Sequence, residues 1–414
     1  LRANTFTDLG DAVNAGIISV GNELLMGFTL DSNSTWIARK LLDLGIKVDL
    51  KLTIADDEGE ILEAFKTLSS RCDVILCTGG LGPTSDDVTK SAYCDFIQAG
   101  LELNEDYLEE LKKKFEDRQL VMSDSNREQA MVPDKGETIP NSLGSALGLK
   151  FVDEDSRIYV MPGVPSEMKR MMEETVLPEL EQLPRDELHV TTIRLTGIME
   201  SALYDQVKDL LNDNIVKVAF LPGFLGVDVR LMSRDKDSLL ELSGQFFDRL
   251  GNYVYAEDWE TLEDAVGRLL IERGLTLATA ESCTGGLLGN RITNVAGSSE
   301  YYLGGIVSYS DAAKMNLLGV SQETLKEFGA VSEETAQEMA LGARRVLQSD
   351  VGVSITGIAG PTGGTEDKPV GLVYIAVDVA GDVAVRKFVF SEDRRYNKEL
   401  SAQAALNLVR MSMG

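Results

Sequence analysis

The residues best suited to chemistry in this sequence lie in short turns rich in glycine and hydroxyl side chains. One such turn, at residues 281–286, reads Glu-Ser-Cys-Thr-Gly-Gly and follows the apolar run 275–279. A strand would deliver these residues into the first turn of a helix, where free backbone N–H groups and the helix dipole favour an anion. The pattern predicts an anion-binding pocket, with an ordinary strand-to-helix turn as the alternative. The predicted contacts are Ser282, Thr284, Gly285 and Gly286.

The single histidine, His189, limits the chemistry that the chain can perform. A Ser-His-Asp triad and a histidine-rich metal site are both disfavoured, so acid–base work must fall to carboxylates, lysine or tyrosine. Ser299, in a loop of small residues, and Lys314 form a chemically sensible dyad, because burial or a neighbouring cation can lower the pKa of a lysine. Tyr309 adds a phenol to this group. The pattern equally allows Ser299 to be a helix cap and Lys314 to be a solvated helix residue.

A second glycine-rich loop, at residues 78–89, follows the short apolar run 74–77. Its sequence is Thr-Gly-Gly-Leu-Gly-Pro-Thr-Ser-Asp-Asp-Val-Thr. The glycines would let the backbone approach a ligand, and the two adjacent carboxylates could hold a divalent cation. Asp86 or Asp87 could instead cap the helix that follows. The residues predicted to contact a ligand are Gly79, Gly80, Gly82 and Thr84.

Alternating strand and helix patterns must position these loops. Between residues 15 and 89, apolar runs alternate with amphipathic helical patterns, which predicts a parallel sheet with helices on both faces and ligands at the carboxyl ends of its strands. Residues 185–256 have a β-α-β-β-α-β order, typical of a small α+β domain, and residues 257–414 return to an α/β pattern. The predicted class is α/β, divided into an extension (1–14), a first domain (15–184), a middle domain (185–256) and a C-terminal domain (257–414).

The composition disfavours several classes of partner. A net charge of −27 argues against nucleic acid, and no apolar run approaches the roughly 18 to 20 residues of a membrane span. The first residues lack the apolar core of a signal peptide. Four scattered cysteines indicate buried thiols rather than a disulfide framework. We therefore expect a cytoplasmic protein that acts on small molecules.

Four motifs of the first domain resemble those of a known family. They are Gly-Asn-Glu-Leu-Leu at 21–25, Gly-Gly-Leu-Gly-Pro-Thr at 79–84, Asn-Ser-Leu-Gly-Ser-Ala at 141–146 and Met-Pro-Gly-Val-Pro-Ser-Glu-Met at 161–168. The domain resembles the molybdopterin-binding-like α/β sandwich of the CinA (competence/damage-inducible) family. The resemblance implies hydrolysis of ADP-ribose to AMP and ribose 5-phosphate with a divalent metal (Mg²⁺, Mn²⁺ or Co²⁺), and it makes Asp86, Asp87 and Glu167 candidate metal ligands or bases. A non-catalytic regulatory module that binds a nucleotide or molybdopterin is the alternative.

Motifs across residues 257–414 resemble the C-terminal α/β domain of the same family. They are the 281–286 turn, Ala-Gly-Ser-Ser at 296–299, Val-Ser-Tyr-Ser at 307–310, Ser-Ile-Thr-Gly-Ile-Ala-Gly-Pro at 354–361 and Lys-Pro-Val-Gly at 368–371. The resemblance implies a nicotinamide mononucleotide (NMN) deamidase that forms nicotinic acid mononucleotide and ammonia. It makes Ser299 the nucleophile, Lys314 its base and Tyr309 an assisting group. Thr356 and Arg394 would position the substrate, with Arg394 on the phosphate.

The same resemblance implies acyl transfer without a metal, in a homodimer. Cys283 is a rival nucleophile, because a thiol at a helix N-terminus has a lowered pKa, although it has no obvious base partner.

Ser391 and Glu392 stand where the family commonly has a glycine, so Arg395 could replace Arg394. Molybdopterin biosynthesis, suggested by the first domain alone, is disfavoured by the fusion to a deamidase-like domain.

Overall fold

A computed structural model describes residues 13–413 except residues 85, 154–155, 184–187 and 213–214. Contacts divide the chain into two compact units, one ending at Leu188 and one beginning at His189. The predicted extension lies outside the described residues except for Val13 and Asn14, and Asn14 already belongs to a strand. Within the described part of the chain, no helix is both long enough and apolar enough to cross a membrane.

The first unit is built on a six-stranded sheet in the order β2-β1-β3-β8-β7-β6. Strands β2, β1 and β3 are parallel, as the sequence pattern predicted, whereas the parallel β8 and the antiparallel edge of β7 and β6 were not predicted. The strands are β1 (Asn14–Val20), β2 (Lys47–Ile54), β3 (Val74–Thr78), β4 (Leu101–Leu103), β5 (Met131–Pro133), β6 (Glu137–Ile139), β7 (Gly148–Val152) and β8 (Arg157–Met161). Strands β4 and β5 form a separate antiparallel pair.

Helices cover both faces of this sheet, because β1 and β3 are apolar on both sides and must bury both. The helices are α1 (Asn22–Leu25), α2 (Ser32–Asp43), α3 (Glu58–Ser69), α4 (Thr89–Ile97), α5 (Glu105–Asp117), α6 (Asp124–Glu128), α7 (Pro165–Met171) and α8 (Leu177–Leu180). Asp31 caps α2 by accepting a hydrogen bond from the Ser34 N–H. By contrast, α4 begins after Val88 without a side-chain cap, so the alternative that made Asp86 or Asp87 its cap is wrong.

The second unit begins with the predicted β-α-β-β-α-β module. Its antiparallel sheet has the order β10-β11-β9-β12, and two helices pack on one apolar face. The elements are β9 (His189–Leu195), α9 (Glu200–Val207), β10 (Lys217–Pro222), β11 (Val227–Ser233), α10 (Lys236–Leu250) and β12 (Val254–Glu257).

The remainder of the second unit is a five-stranded sheet in the order β14-β13-β15-β16-β17. The first three strands are parallel, and β16 and β17 continue the sheet in antiparallel fashion. The strands are β13 (Leu277–Glu281), β14 (Tyr302–Val307), β15 (Val351–Gly357), β16 (Leu372–Val379) and β17 (Asp382–Val389). Residues 282, 308 and 358 directly follow β13, β14 and β15. Three of the sequence motifs therefore meet at the carboxyl ends of these parallel strands.

Helices pack on both faces of this second sheet. They are α11 (Leu262–Arg273), α12 (Leu287–Thr293), α13 (Asp311–Ala313), α14 (Gln322–Glu327), α15 (Glu333–Leu347) and α16 (Arg394–Ser412), with a 3-10 turn at Ser298–Glu300 and a π-helical turn at Lys314–Leu318. Ser332 caps α15 by accepting a hydrogen bond from the Thr335 N–H. The small residues Ala336, Ala340 and Ala343 of α15 are buried, and they let the helix approach the strands closely.

Candidate active site

The side chain of Lys314 is fully buried at the carboxyl ends of β13 and β14. Its Nζ donates a hydrogen bond to Ser282 Oγ over 3.0 Å and another to the carbonyl oxygen of Ser308 over 2.8 Å. Ser282 directly follows β13, and its backbone N–H donates to the Ile355 carbonyl of β15. Strand pairing therefore fixes the serine, and the short π-helical turn places the lysine against it.

Burial lowers the pKa of the Lys314 ammonium, against the opposing influence of Asp311 and Cys283. The cause is desolvation, because an ammonium group inside the protein loses the water that stabilises its charge. An amine with a lowered pKa can exist in its neutral form and accept the proton of a hydroxyl group. The contact between Nζ and Oγ therefore has the geometry that a general base and its nucleophile would need.

The serine of this pair is Ser282, and the predicted pairing of Ser299 with Lys314 is not formed. Ser299 lies exposed on the 3-10 turn before β14, whereas Ser282 and Lys314 lie beyond the carboxyl ends of β13 and β14. Because β14 has six residues, its two ends are about 20 Å apart. Sequence reasoning treated Ser282 only as a binding residue, although its place directly after a parallel strand was the available signal.

The predicted anion pocket at the start of α12 is filled by the chain itself. The buried carboxylate of Glu281 accepts hydrogen bonds from the N–H groups of Gly286, Leu288 and Gly289 over 3.0, 3.1 and 2.9 Å. Gly285 and Gly286 have φ values of 64° and 97°, so this turn requires glycine for its backbone shape. The turn consequently serves to hold Ser282, and its helix N–H groups are not available to a phosphate.

Cys283 is buried, and burial raises the pKa of its thiol to about 11. The expected lowering by a helix N-terminus is absent, because desolvation outweighs the favourable influence of Lys314 and Arg394. A thiol in this state is protonated at neutral pH and is a poor nucleophile. Cys283 therefore does not compete with Ser282.

Arg394 and Tyr309 form an exposed polar group beside the same sheet edge. Arg394 is the first residue of α16, and its guanidinium donates to the Gly360 carbonyl over 3.0 Å and to Tyr309 Oη over 3.2 Å. Tyr309 thus contacts Arg394 directly. Thr356 is buried at the end of β15, and its hydroxyl donates to the Ala330 carbonyl over 2.5 Å, which ties this strand end to the loop before α15.

Asn397 holds the loops that carry Arg394, and sequence reasoning missed it. Its amide donates to the carbonyls of Ala359 and Ser391 over 2.9 and 2.8 Å, and its Oδ1 accepts from the Ser391 N–H over 2.9 Å. The loop therefore accommodates Ser391 and Glu392, which stand where the family commonly has a glycine. The guanidinium bonded to this site is that of Arg394, whereas the Arg395 N–H serves the Asp393 helix cap.

Two buried hydroxyl groups lie beside the dyad, Thr284, which was predicted to contact a ligand, and Ser308, which sequence reasoning missed. Thr284 Oγ1 and Ser308 Oγ have no hydrogen-bond partner in the part of the chain that the structure describes. Thr284 lies two residues after Ser282, and Ser308 supplies the carbonyl that Lys314 contacts. Buried polar atoms without partners are rare in proteins, and they concentrate at functional sites.

In the first unit, the glycines of the 78–89 loop approach the protein's own atoms. A Cβ added at Gly79 would lie 2.2 Å from the Val20 carbonyl oxygen, and one added at Gly80 would lie 2.1 Å from Thr89 Oγ1. At Gly82, the added atom would lie 2.5 Å from Asp87 Oδ2. Gly79 and Gly80, which also have positive φ values of 109° and 65°, are thus required for the backbone at the ends of β1 and β3, whatever ligand binds there.

The predicted metal site of three carboxylates is not formed. Glu167 Oε2 accepts a hydrogen bond from the Asn141 amide over 2.7 Å, and Asp87 accepts from both the N–H and the hydroxyl of Thr84. Across the described ranges, no three His, Cys, Asp or Glu residues converge in a way that could hold a metal ion. The exposed Asp86 and the Asp87 beside it fit a cation held by one or two carboxylates together with substrate phosphates.

Family comparisons match three consecutive segments of the chain. Residues 16–182 match the "Probable molybdopterin binding domain", residues 190–256 the "Damage-inducible protein CinA KH domain" and residues 259–413 the "CinA C-terminal domain". The CinA-like protein of Chloroherpeton thalassium is 43% identical over 413 residues, covering 96% of this chain and 98% of its own length. The CinA-like protein of Kosmotoga olearia is 40% identical, covering 97% and 99%.

Among solved structures, a competence-damaged protein (CinA) superfamily protein from Klebsiella pneumoniae is 36% identical. It covers 37% of this chain and 95% of its own length, with a TM-score of 0.36. The full-length relatives decide the assignment, because their similarity extends across all three matched segments. The chain belongs to the CinA family.

Proposed function

We propose that the C-terminal domain hydrolyses the carboxamide of NMN, forming nicotinic acid mononucleotide and ammonia. The observation that carries this proposal is the buried contact of 3.0 Å between Lys314 Nζ and Ser282 Oγ. A serine beside a buried lysine whose pKa is lowered by desolvation is an arrangement suited to acyl transfer in a chain whose one histidine lies elsewhere. We assign Ser282 as the nucleophile, in place of Ser299, and Lys314 as the base.

The reaction proceeds in two steps. Ser282 Oγ attacks the carboxamide carbon while Lys314 Nζ takes the hydroxyl proton, and Lys314 then gives that proton to the departing nitrogen, which leaves as ammonia. Lys314 next takes a proton from water, whose oxygen attacks the acyl ester, and returns it to Ser282 Oγ. The backbone N–H groups of Cys283 and Thr284, which directly follow the nucleophile, are the proposed donors to the oxyanion.

Arg394 is the proposed binding group for the phosphate of NMN. Its guanidinium is exposed on the rim of the site and is oriented by Gly360 and Tyr309, so it can form charge-assisted hydrogen bonds with little reorganisation. Tyr309 is assigned to orienting Arg394 and the substrate, because its hydrogen bond goes to Arg394 and leaves the proton transfer to Lys314.

Incubation of the purified full-length protein with NMN tests this proposal. We expect equal amounts of ammonia and nicotinic acid mononucleotide, at a rate that EDTA does not change, because nucleophile and base both come from the chain. Ammonia can be measured by a coupled assay and the nucleotides by chromatography. Absence of ammonia would overturn the proposed activity, and loss of activity in EDTA would overturn the metal-free mechanism.

For the first unit, we propose hydrolysis of ADP-ribose to AMP and ribose 5-phosphate. The favouring observation is a polar group at the ends of β1 and β3: Asn33 Oδ1 and Thr89 Oγ1 are buried and lack hydrogen-bond partners among the residues that the structure describes. They flank the loop that carries Asp86 and Asp87. A divalent cation bound there would neutralise the diphosphate and activate water.

Asp86→Ala should lower AMP formation from ADP-ribose at least about tenfold, because the variant loses an exposed carboxylate that can reach a cation on the diphosphate. The assay uses Mg²⁺, Mn²⁺ and Co²⁺ in turn, with Asp117→Ala on the surface of α5 as the control. NMN deamidation should be unchanged in both variants. A wild-type protein that forms no AMP with any of these cations would instead support a regulatory nucleotide-binding module.

A further inference from the structure

The hairpin between β10 and β11 ends in the sequence Gly-Phe-Leu-Gly at residues 223–226, here called the hairpin tip. The ring of Phe224 lies 4.5 Å, between centroids, from the ring of Tyr396 in α16, with the two planes at 38°. A middle-domain side chain thus rests on the first turn of the helix that begins with Arg394.

A polar connection anchors the hairpin tip at a second point of α16. Thr196 donates to the Leu225 carbonyl over 3.1 Å and accepts a hydrogen bond from the Gln403 amide over 3.3 Å. Gln403 in turn accepts from the buried guanidinium of Arg291 in α12 over 2.7 Å. The tip is therefore fixed to two positions of α16, at Tyr396 and at Gln403.

Beside the hairpin tip lies a cleft of about 630 Å³ whose walls include Phe224, Phe388 and Leu400. Phe224 and Tyr396 are 47% and 54% exposed, so their contact lies at the surface. Removing the Phe224 ring should therefore free the first turn of α16 without opening a cavity in a core.

We propose that Phe224 of the middle domain is a positioning residue for the amidase site. This inference rests on the proposed deamidation of NMN and gives the middle domain a role in it. Holding Tyr396 restrains the first turn of α16, and with it the Arg394 guanidinium that receives the phosphate. Helix ends fray readily, so a free first turn adds an ordering cost to substrate binding.

Removal of the Phe224 ring should weaken substrate binding and leave the chemical step unchanged, because the phosphate of NMN is remote from the reacting carboxamide. The contacts that hold Ser282 and Lys314 come from β13, β15 and Ser308, and none of them involves the hairpin tip. A change that weakens ground-state and transition-state binding equally raises KM and leaves kcat unchanged.

The test compares Phe224→Ala with Phe220→Ala in the full-length protein. For Phe224→Ala we expect the KM for NMN to rise about fivefold, the equivalent of one aromatic contact, with kcat within about twofold of wild type. Phe220 lies in the same hairpin but packs on Tyr204 of its own domain, with centroids 6.0 Å apart. Its removal should lower the melting temperature and leave KM unchanged, whereas Phe224→Tyr should retain the wild-type KM.

Nicotinamide riboside, which lacks the phosphate, provides a second readout. Its KM should be the same in wild type and Phe224→Ala, because the Arg394 contact is absent in both. An unchanged KM for NMN in Phe224→Ala would overturn the inference, and so would an equal rise in Phe220→Ala, which would indicate only damage to the middle domain. A wild-type protein without deamidase activity would overturn the proposed function instead.

Discussion

Ser282→Ala is expected to lower kcat for NMN deamidation by at least about a thousandfold, because no other group can form the acyl ester. The substitution removes one oxygen atom and keeps the backbone N–H that bonds to Ile355, so the turn at 281–286 should keep its shape. Purified wild type and variant are compared at saturating NMN by ammonia release. Their far-UV circular dichroism spectra and melting temperatures check that the fold is retained.

Ser299→Ala is the matched control for this prediction. Ser299 is exposed on the 3-10 turn at the amino end of β14, so its loss should reduce kcat far less than the loss of Ser282. Activity in Ser282→Ala together with an inactive Ser299→Ala would contradict the structural pairing. That result would restore the serine that sequence resemblance favoured.

The contrast between these two serines shows how far sequence reasoning reaches. The alternation of strands and helices predicted a parallel sheet and glycine- and hydroxyl-rich turns at the ends of its strands, because burial of apolar runs follows directly from the sequence. Which loop meets Lys314 depends on the sheet edge at which each loop emerges. The sequence pattern predicted parallel strands but not which strands are neighbours, and the pairing of β13 with β14 and β15 is what places Ser282 beside Lys314.

Glu281 illustrates a second limit of predicting a binding site from sequence. From the two glycines of the strand-to-helix turn, we correctly predicted helix N–H groups without a backbone partner. A carboxylate five to eight residues earlier in the chain accepts hydrogen bonds from three of them. The same happens at Asp87, whose carboxylate binds Thr84. Residue types indicate what a loop can bind, whereas the folded backbone decides whether the loop already binds its own side chain.

Lys314→Met should reduce kcat by about a hundred- to ten-thousandfold, the range over which a positioned general base contributes. Methionine has a similar length and is apolar, so it can fill the buried space. In the wild type, kcat/KM should rise as pH increases through the lowered pKa of Lys314, since only the neutral amine accepts the Ser282 proton. Exposed Lys326, replaced by Met, is the control, and equal losses in both variants would contradict a base role for Lys314.

The same substitution should change how stability depends on pH. Because burial lowers the pKa of Lys314 in the folded state, the unfolded chain binds more protons between that pKa and the ordinary value of 10.5. Wild-type stability therefore gains from Lys314 as pH rises through this window. Half-buried Lys90, whose pKa is also lowered by desolvation, is present in both proteins and cancels in the comparison.

Lys314→Met leaves Ser282 Oγ and the Ser308 carbonyl without the lysine as partner, at a cost of about 1 to 3 kcal/mol that does not vary with pH. The free energy of unfolding of Lys314→Met, relative to wild type, should thus be highest below the lowered pKa and should decline toward pH 10.5. Urea denaturation at a series of pH values measures this difference. Parallel pH profiles for the two proteins would mean that Lys314 is charged in the folded state, and a charged lysine cannot serve as the base for Ser282.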